Sequence, residues 1–171
     1  MSTAAPAITT EFAVTFREMT LSGLAAEMQT TKKVIASIPE NSLNFRLEPK
    51  ARSCRELAWH IIHDDITFLN MIADMQMGMP EQKEPPDTIR EMLNYYDREF
   101  PEAIARVQAL TPEQLVTVID FFGMKTPVFA ILPIVNNHSI HHRGQLAAYL
   151  RPAGGKVPSI YGGSADEPWQ E

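Results

Sequence analysis

The chain has 171 residues, enough to bury a core without disulfide support, and its 44% apolar and 21% charged composition is that of a folded protein rather than a disordered one. Fifteen Lys and Arg against 21 Asp and Glu leave a net charge of −6 with no basic block, so nucleic acid is not an expected partner. A lone cysteine, Cys54, excludes an internal disulfide and fits a reducing compartment; no run approaches the roughly 18–20 apolar residues of a membrane span, and residues 1–10 lack the features of a secretory signal. The expectation is a single cytoplasmic domain over 1–171 with no membrane partner, its N-terminus (1–9) flexible and its tail (155–171) extended.

Apolar periodicity predicts a first long helix from about Thr10 to Ile38, with Phe12, Phe16, Met19, Leu24, Met28 and Ile35 on its inner face and Pro39 ending it. Ser53-Cys54-Arg55-Glu56 is a capping box and opens a second helix that runs to about Met77, before Gly78 and Pro80. A linker through Pro85-Pro86 leads to a second box, Thr88-Ile89-Arg90-Glu91, and a third helix ending near Leu110. Thr111-Pro112-Glu113-Gln114 reads as the start of a short extra helix with Pro in its first turn. The last long helix is expected from about Thr126-Pro127 to Arg151, stopped by Pro152 and Gly154-Gly155; Pro133 either kinks it or marks its true start. No β-hairpin signal and no fixed-period repeat stand out, so the pattern is all-α, a four-helix bundle.

All five histidines fall in two groups on predicted core helices, His60 with His63, and His138 with His141 and His142. At about 100° per residue, His138 and His142 share a face with Ile131, Ile134, Val135, Leu146 and Tyr149. Two imidazoles one turn apart on an apolar stripe either need hydrogen-bond partners as core residues or line a cavity. The same spacing is how a helix offers two nitrogens to one metal ion, and His60 is the natural third ligand from another element. Asp64, one turn beyond His60, either accepts the free N–H of that ring or approaches the ion itself. The glutamate of the HExxH zinc-protease motif is absent from His138-Ser139-Ile140-His141-His142.

The run Asn137-His138-Ser139-Ile140-His141-His142-Arg143-Gly144-Gln145-Leu146, ending in Leu150-Arg151, resembles the HxxxHRGQ signature of the DinB/YfiT-like superfamily. Ser53 to His60 (SCRELAWH) is similar to that family's helix-two segment with its first metal-ligating histidine, and Gly155 to Tyr161 (GKVPSIY) to its tail. The resemblance implies a four-helix bundle with a crossover connection, homodimerisation, and a divalent metal held by His60, His138 and His142. His63 and His141 fall off the family's ligand pattern.

Arg143 is about 140° from His138 and is expected in helix packing or at the helix dipole; Gly144 is expected to permit close helix approach. Gln145 lies near the His138 direction and either bonds a group behind the ligands or is core polarity without function. Met71 and Met75 read as core filling and Cys54 as a packing residue. The second helix is apolar almost all round, which predicts burial against a second subunit or against the first helix; Trp169 either docks on a groove or stays mobile.

Three neutral imidazoles leave an ion's charge uncompensated and at least one position open, and zinc, nickel or iron suits such a set. The resemblance implies chemistry on a small-molecule substrate: transfer of a low-molecular-weight thiol to a small electrophile, or metal-dependent hydrolysis. The residues themselves show no evident general base; Asp64 is the nearest candidate, with His63 or His141 as alternatives where the bundle turns them inward. The rival reading is a non-catalytic metal-stabilised scaffold or stress-response binding protein, whose ion contributes to folding.

Overall fold

The computed structural model describes residues 8–169; residues 1–7 of the expected flexible N-terminus lie outside them. Helix α1 spans Thr10–Ala36, capped by the Thr9 hydroxyl, which accepts from the Phe12 N–H. Its buried stripe runs through Ala13, Arg17, Leu21, Leu24, Met28, Thr31, Val34 and Ile35. Phe12 and Met19, expected inside, are 53% and 72% exposed. The stripe includes two polar residues that a purely apolar pattern skips, and this rotates the true inner face away from both side chains.

Helix α2 spans Cys54–Ala73 behind the expected Ser53–Glu56 box. It stops short of Met77 because Met75 adopts a left-handed conformation (φ 54°). It packs against α3 (Ile89–Gln108) on one side and α5 (Leu132–Leu150) on the other, which accounts for its apolar character all round; neither a second subunit nor α1 is needed to cover it. Between α3 and α5 lies the short helix α4, Pro112–Val116, with its own Thr111–Gln114 box.

The fold is mostly helical, as expected, but a two-stranded antiparallel hairpin that no turn signal announced follows α4: β1 (Val118–Phe121) pairs with β2 (Met124–Pro127) around Phe122-Gly123. Both turn residues have positive φ (50° and 88°), as two-residue hairpin turns require, and the Asp120 carboxylate accepts from the Gly123 N–H. The usual Asn-Gly or Asp-Gly signal is replaced here by Phe-Gly, with the aspartate two positions before Phe122. The last helix therefore begins at Leu132, after a 3-10 turn over Val128–Ile131, and Pro133 marks its start rather than a kink.

The long helices form a bundle in which α1 and α2 both neighbour α3 and α5 and so stand diagonally opposite each other. The links α1 to α2 and α3 to α5 each join diagonally opposite helices, and these are crossover connections. Beyond α5 the chain turns at Gly155, where a Cβ would stand 2.8 Å from the Ser37 carbonyl, and the tail, as far as its described residues go, returns across the bundle without helix or strand, residues 170–171 lying outside them. Lys33 pairs with Glu167 (2.8 Å) and Arg151 with Asp166 (2.9 Å). Trp169 lies over Gly162 and Gly163 yet is 77% exposed. No helix among the described residues is long and apolar enough to cross a membrane.

Candidate metal centre

The adjacency of α2 and α5 brings His60, near the first third of α2, against His138 and His142 on successive turns of α5. One ring nitrogen from each of the three lies within 4.8 Å of the others. The rings meet edge to face, with centroids 4.9 Å (His60–His138), 4.4 Å (His60–His142) and 4.5 Å (His138–His142) apart. All three are half-buried, and they are the one such group of potential ligands among the described residues.

Hydrogen bonding behind the rings orients two of them. His60 Nδ1 stands 3.2 Å from Asp64 Oδ2, and His142 Nδ1 3.0 Å from Gln145 Oε1. A carboxylate and an amide oxygen can only accept, so each Nδ1 carries the proton and each neutral ring presents a lone pair at Nε2. These two Nε2 atoms face each other at 3.2 Å. Lone pairs so opposed need a proton or a cation between them. Two nitrogens bound at about 2.0–2.1 Å to one tetrahedral ion stand about 3.3–3.4 Å apart, close to the observed spacing. His138 Nδ1 is buried with no hydrogen-bond partner among the described residues, so this ring is not a satisfied core histidine. The donor set fits a divalent ion.

The electrostatics point the same way. Burial, reinforced by His142 and His60, lowers the His138 pKa to about 4, and burial likewise lowers that of His142, so both favour the neutral, ligating form. Burial opposes ionisation of Asp64, but the adjacent His60 and His63 imidazoles outweigh it and hold this carboxylate well below the usual range. Asp64 is thereby a poor proton acceptor and a good orienting partner. Its Oδ2 also lies 3.6 Å from His138 Nε2.

His63 and His141 stand outside the triad. His63 is buried against Trp59, with Nδ1 3.6 Å from Asp64 Oδ1, and His141 is exposed beside His142. Gln145 bonds the His142 ring itself rather than a group behind the ligands. Cys54 is fully buried, its thiol pKa pushed up by burial, as a packing residue requires. Met75 packs on the core.

Of the two roles expected of Arg143, helix packing is the one it takes: at 1% exposure it reaches across to α1, donating to the Glu27 carboxylate and to Thr31, and to the hydroxyl of Tyr161 in the tail. The expectation for Gly144 fails. Gly144 has open space where a Cβ would stand, so it admits no neighbouring helix.

A group that pattern reading missed lies behind His138. Asp65 is buried, and its Oδ2 accepts from Tyr96 (2.6 Å) and Ser139 (3.0 Å), while Oδ1 has no partner; burial raises its pKa to about 7. The available signal was two consecutive aspartates on a helix apolar all round.

Two recesses flank the triad. On the His60 side a charged cleft of about 280 Å³ is lined by Arg52, Glu56, Trp59, His63, Asp64 and the linker residues 82–85. On the His138 side a smaller apolar recess of about 60 Å³ is formed by Phe68, Phe121, Ile131, Ile134 and Val135. The hairpin that sequence reasoning missed thus supplies one wall, Phe121.

The DinB family model matches residues 14–171. Among curated relatives, the uncharacterized protein YrdA of Bacillus subtilis (strain 168) is 29% identical over 145 residues, covering 82% of this chain and 85% of that protein. The uncharacterized protein YjoA of the same organism is 28% identical over 138 residues, covering 78% and 88%. Among solved structures, a DinB-like protein from Bacillus cereus ATCC 10987 superposes with a TM-score of 0.72 at 27% identity, covering 84% of this chain and 97% of that one. The DinB-like YjoA of Bacillus subtilis gives a TM-score of 0.68 at 26% identity, covering 83% and 96%. With the helical fold, the three-histidine cluster and the matched span in agreement, this chain belongs to the DinB family.

Proposed function

We propose that the protein is a divalent-metal-dependent enzyme that joins a low-molecular-weight thiol to a small electrophile, with His60, His138 and His142 as the metal ligands. The carrying observation is the pair of Nε2 atoms opposed at 3.2 Å, each ring oriented by an acceptor on its far nitrogen. Zinc, nickel or iron suits three imidazoles, and an ion so held retains its charge and favours the anionic form of a bound thiol or water.

The chain's own residues do the rest. Asp64 and Gln145 fix the tautomers of His60 and His142. His63, on the wall of the charged cleft, is placed to take the thiol proton. The sulfur lone pair then forms the S–C bond while the electrophile's leaving group departs with its bonding pair and takes up a proton. Two recesses of opposite character on either side of the triad suit two reactants, which favours transfer over hydrolysis. Homodimerisation belongs to this proposal on the family resemblance, and a cytoplasmic setting on the single cysteine.

The rival, a metal-stabilised scaffold, draws on the closeness of the Asp64 carboxylate to His138, which offers a fourth donor that would close the site. Metal analysis of untagged protein, followed by thiol-consumption assays over several thiols and alkylating electrophiles, separates the two. The enzyme reading predicts turnover that is lost on chelation and in a folded His142→Ala variant. A His142→Ala protein that folds and keeps full turnover overturns it.

A further inference from the structure

Three arginines surround the start of α2, and two are taken up by the fold. Arg46 donates to the Ala51 carbonyl and pairs with Glu56 (2.6 Å); Arg55 donates to the Pro86 carbonyl (2.8 Å) and pairs with Asp87 (2.7 Å). Arg52 has no hydrogen bond or ion pair among the described residues, and it lines the charged cleft. It also lies close enough to His142 for its charge to disfavour protonation of that ring.

Of the other charges of the cleft, Glu56 is held by Arg46 and by the Ser53 N–H and Asp64 by the imidazoles, while Lys83 and Glu84 are sequence neighbours of opposite charge in the linker. At the α2 end of the cleft, Arg52 is the cation left over. The far wall is fixed, because Trp59 Nε1 donates to the Lys83 carbonyl at 2.8 Å and ties the linker to α2.

We propose that Arg52 is a specificity-determining residue that receives a carboxylate of the thiol cosubstrate, so that the cleft selects small thiols bearing an acid group. This rests on the thiol-transfer reading above. An arginine fork matches a carboxylate in two parallel hydrogen bonds and discriminates against an alcohol of the same length.

The test uses a Trp169→Phe background, in which Trp59 is the single indole, and reads binding to the zinc-loaded protein by its fluorescence. The probes are 3-mercaptopropionate and 3-mercaptopropan-1-ol, with propionate and 1-propanol as thiol-free counterparts. The expected result is at least tenfold tighter binding of each acid than of its alcohol. Arg52→Ala should reduce that preference to within twofold and Arg52→Lys should keep part of it, with zinc affinity unchanged in both. Equal binding of acid and alcohol, or an Arg52→Ala protein that keeps the preference, overturns the proposal. If neither thiol binds better than its thiol-free counterpart, the thiol reading fails, while the propionate-to-propanol ratio still decides the role of Arg52.

Discussion

Removing the Asp64 side chain is the sharpest probe of how the triad is organised. The carboxylate is 12% exposed, stands 3.2 Å from His60 Nδ1, and lies 3.6 Å from both His63 Nδ1 and His138 Nε2. A hydrogen bond to a charged group in such a setting contributes about 1.5–3 kcal/mol. In Asp64→Ala the His60 ring loses that orientation, and zinc affinity should fall about 10- to 150-fold, at about 1.4 kcal/mol per tenfold. Asp64→Asn keeps an oxygen acceptor of the same shape but no charge, and neutral hydrogen bonds are about half as strong, so its loss should be about tenfold. Competition against a chromophoric chelator measures both. Zinc affinities within twofold of wild type in both variants would refute the orienting role. A loss beyond about 1,000-fold in Asp64→Ala would place the carboxylate on the ion itself and favour the closed-site reading.

Asp65 should impose a pH dependence on the metal-free protein. Its folded pKa is raised to about 7 against an ordinary 3.8, so the folded state holds the proton longer, and its contribution to stability, full below pH 4, is lost as pH rises through 7. The stability of Asp65→Asn relative to wild type, from urea unfolding, should therefore rise by up to about 4 kcal/mol between pH 4 and 8; a constant difference contradicts this. Arg143→Ala leaves Glu27 without its buried partner and releases Tyr161, which should cost about 3–5 kcal/mol. With an unfolding entropy of roughly 0.36 kcal/mol/K for a chain of this size, the melting temperature should drop by roughly 8–14 °C, and the tail should become sensitive to limited proteolysis. Gly144→Ala, with open space at its Cβ in mid-helix, should raise stability by about 1 kcal/mol and the melting temperature by about 3 °C by calorimetry; a decrease would show a contact that the fold does not contain.

Helix starts were the most legible part of the fold, because a capping box is a local arrangement of hydroxyl and carboxylate that tertiary context rarely overrides: those at Ser53, Thr88 and Thr111 all form as written. The start of α5 was less so, since Pro127 and Pro133 both suit a helix N-terminus and only the hairpin before Pro127 decides between them. That hairpin was hidden by its turn, where Phe122 takes a left-handed conformation that Asn or Gly would ordinarily announce. Within the candidate site, the histidines could be read from spacing on α5 and from resemblance on α2, because both lie in regular helices with a known rotation per residue. Arg52 and the linker wall could not, since a cleft built from the residue before an N-cap and an irregular segment has no periodic signature. The partners of Arg143 were hidden for a related reason: helical angles say that it leaves the ligand face but not that Glu27 and Tyr161 converge on it from α1 and the tail.

Zinc-edge X-ray absorption on the one-to-one zinc complex tests the three-imidazole site most directly. The expected first shell contains three nitrogen scatterers at about 2.0–2.1 Å with imidazole multiple scattering, falling to two in a variant lacking any one of His60, His138 or His142. A protein that takes up no stoichiometric zinc, or a first shell unchanged when His60 is replaced by Ala, would contradict it.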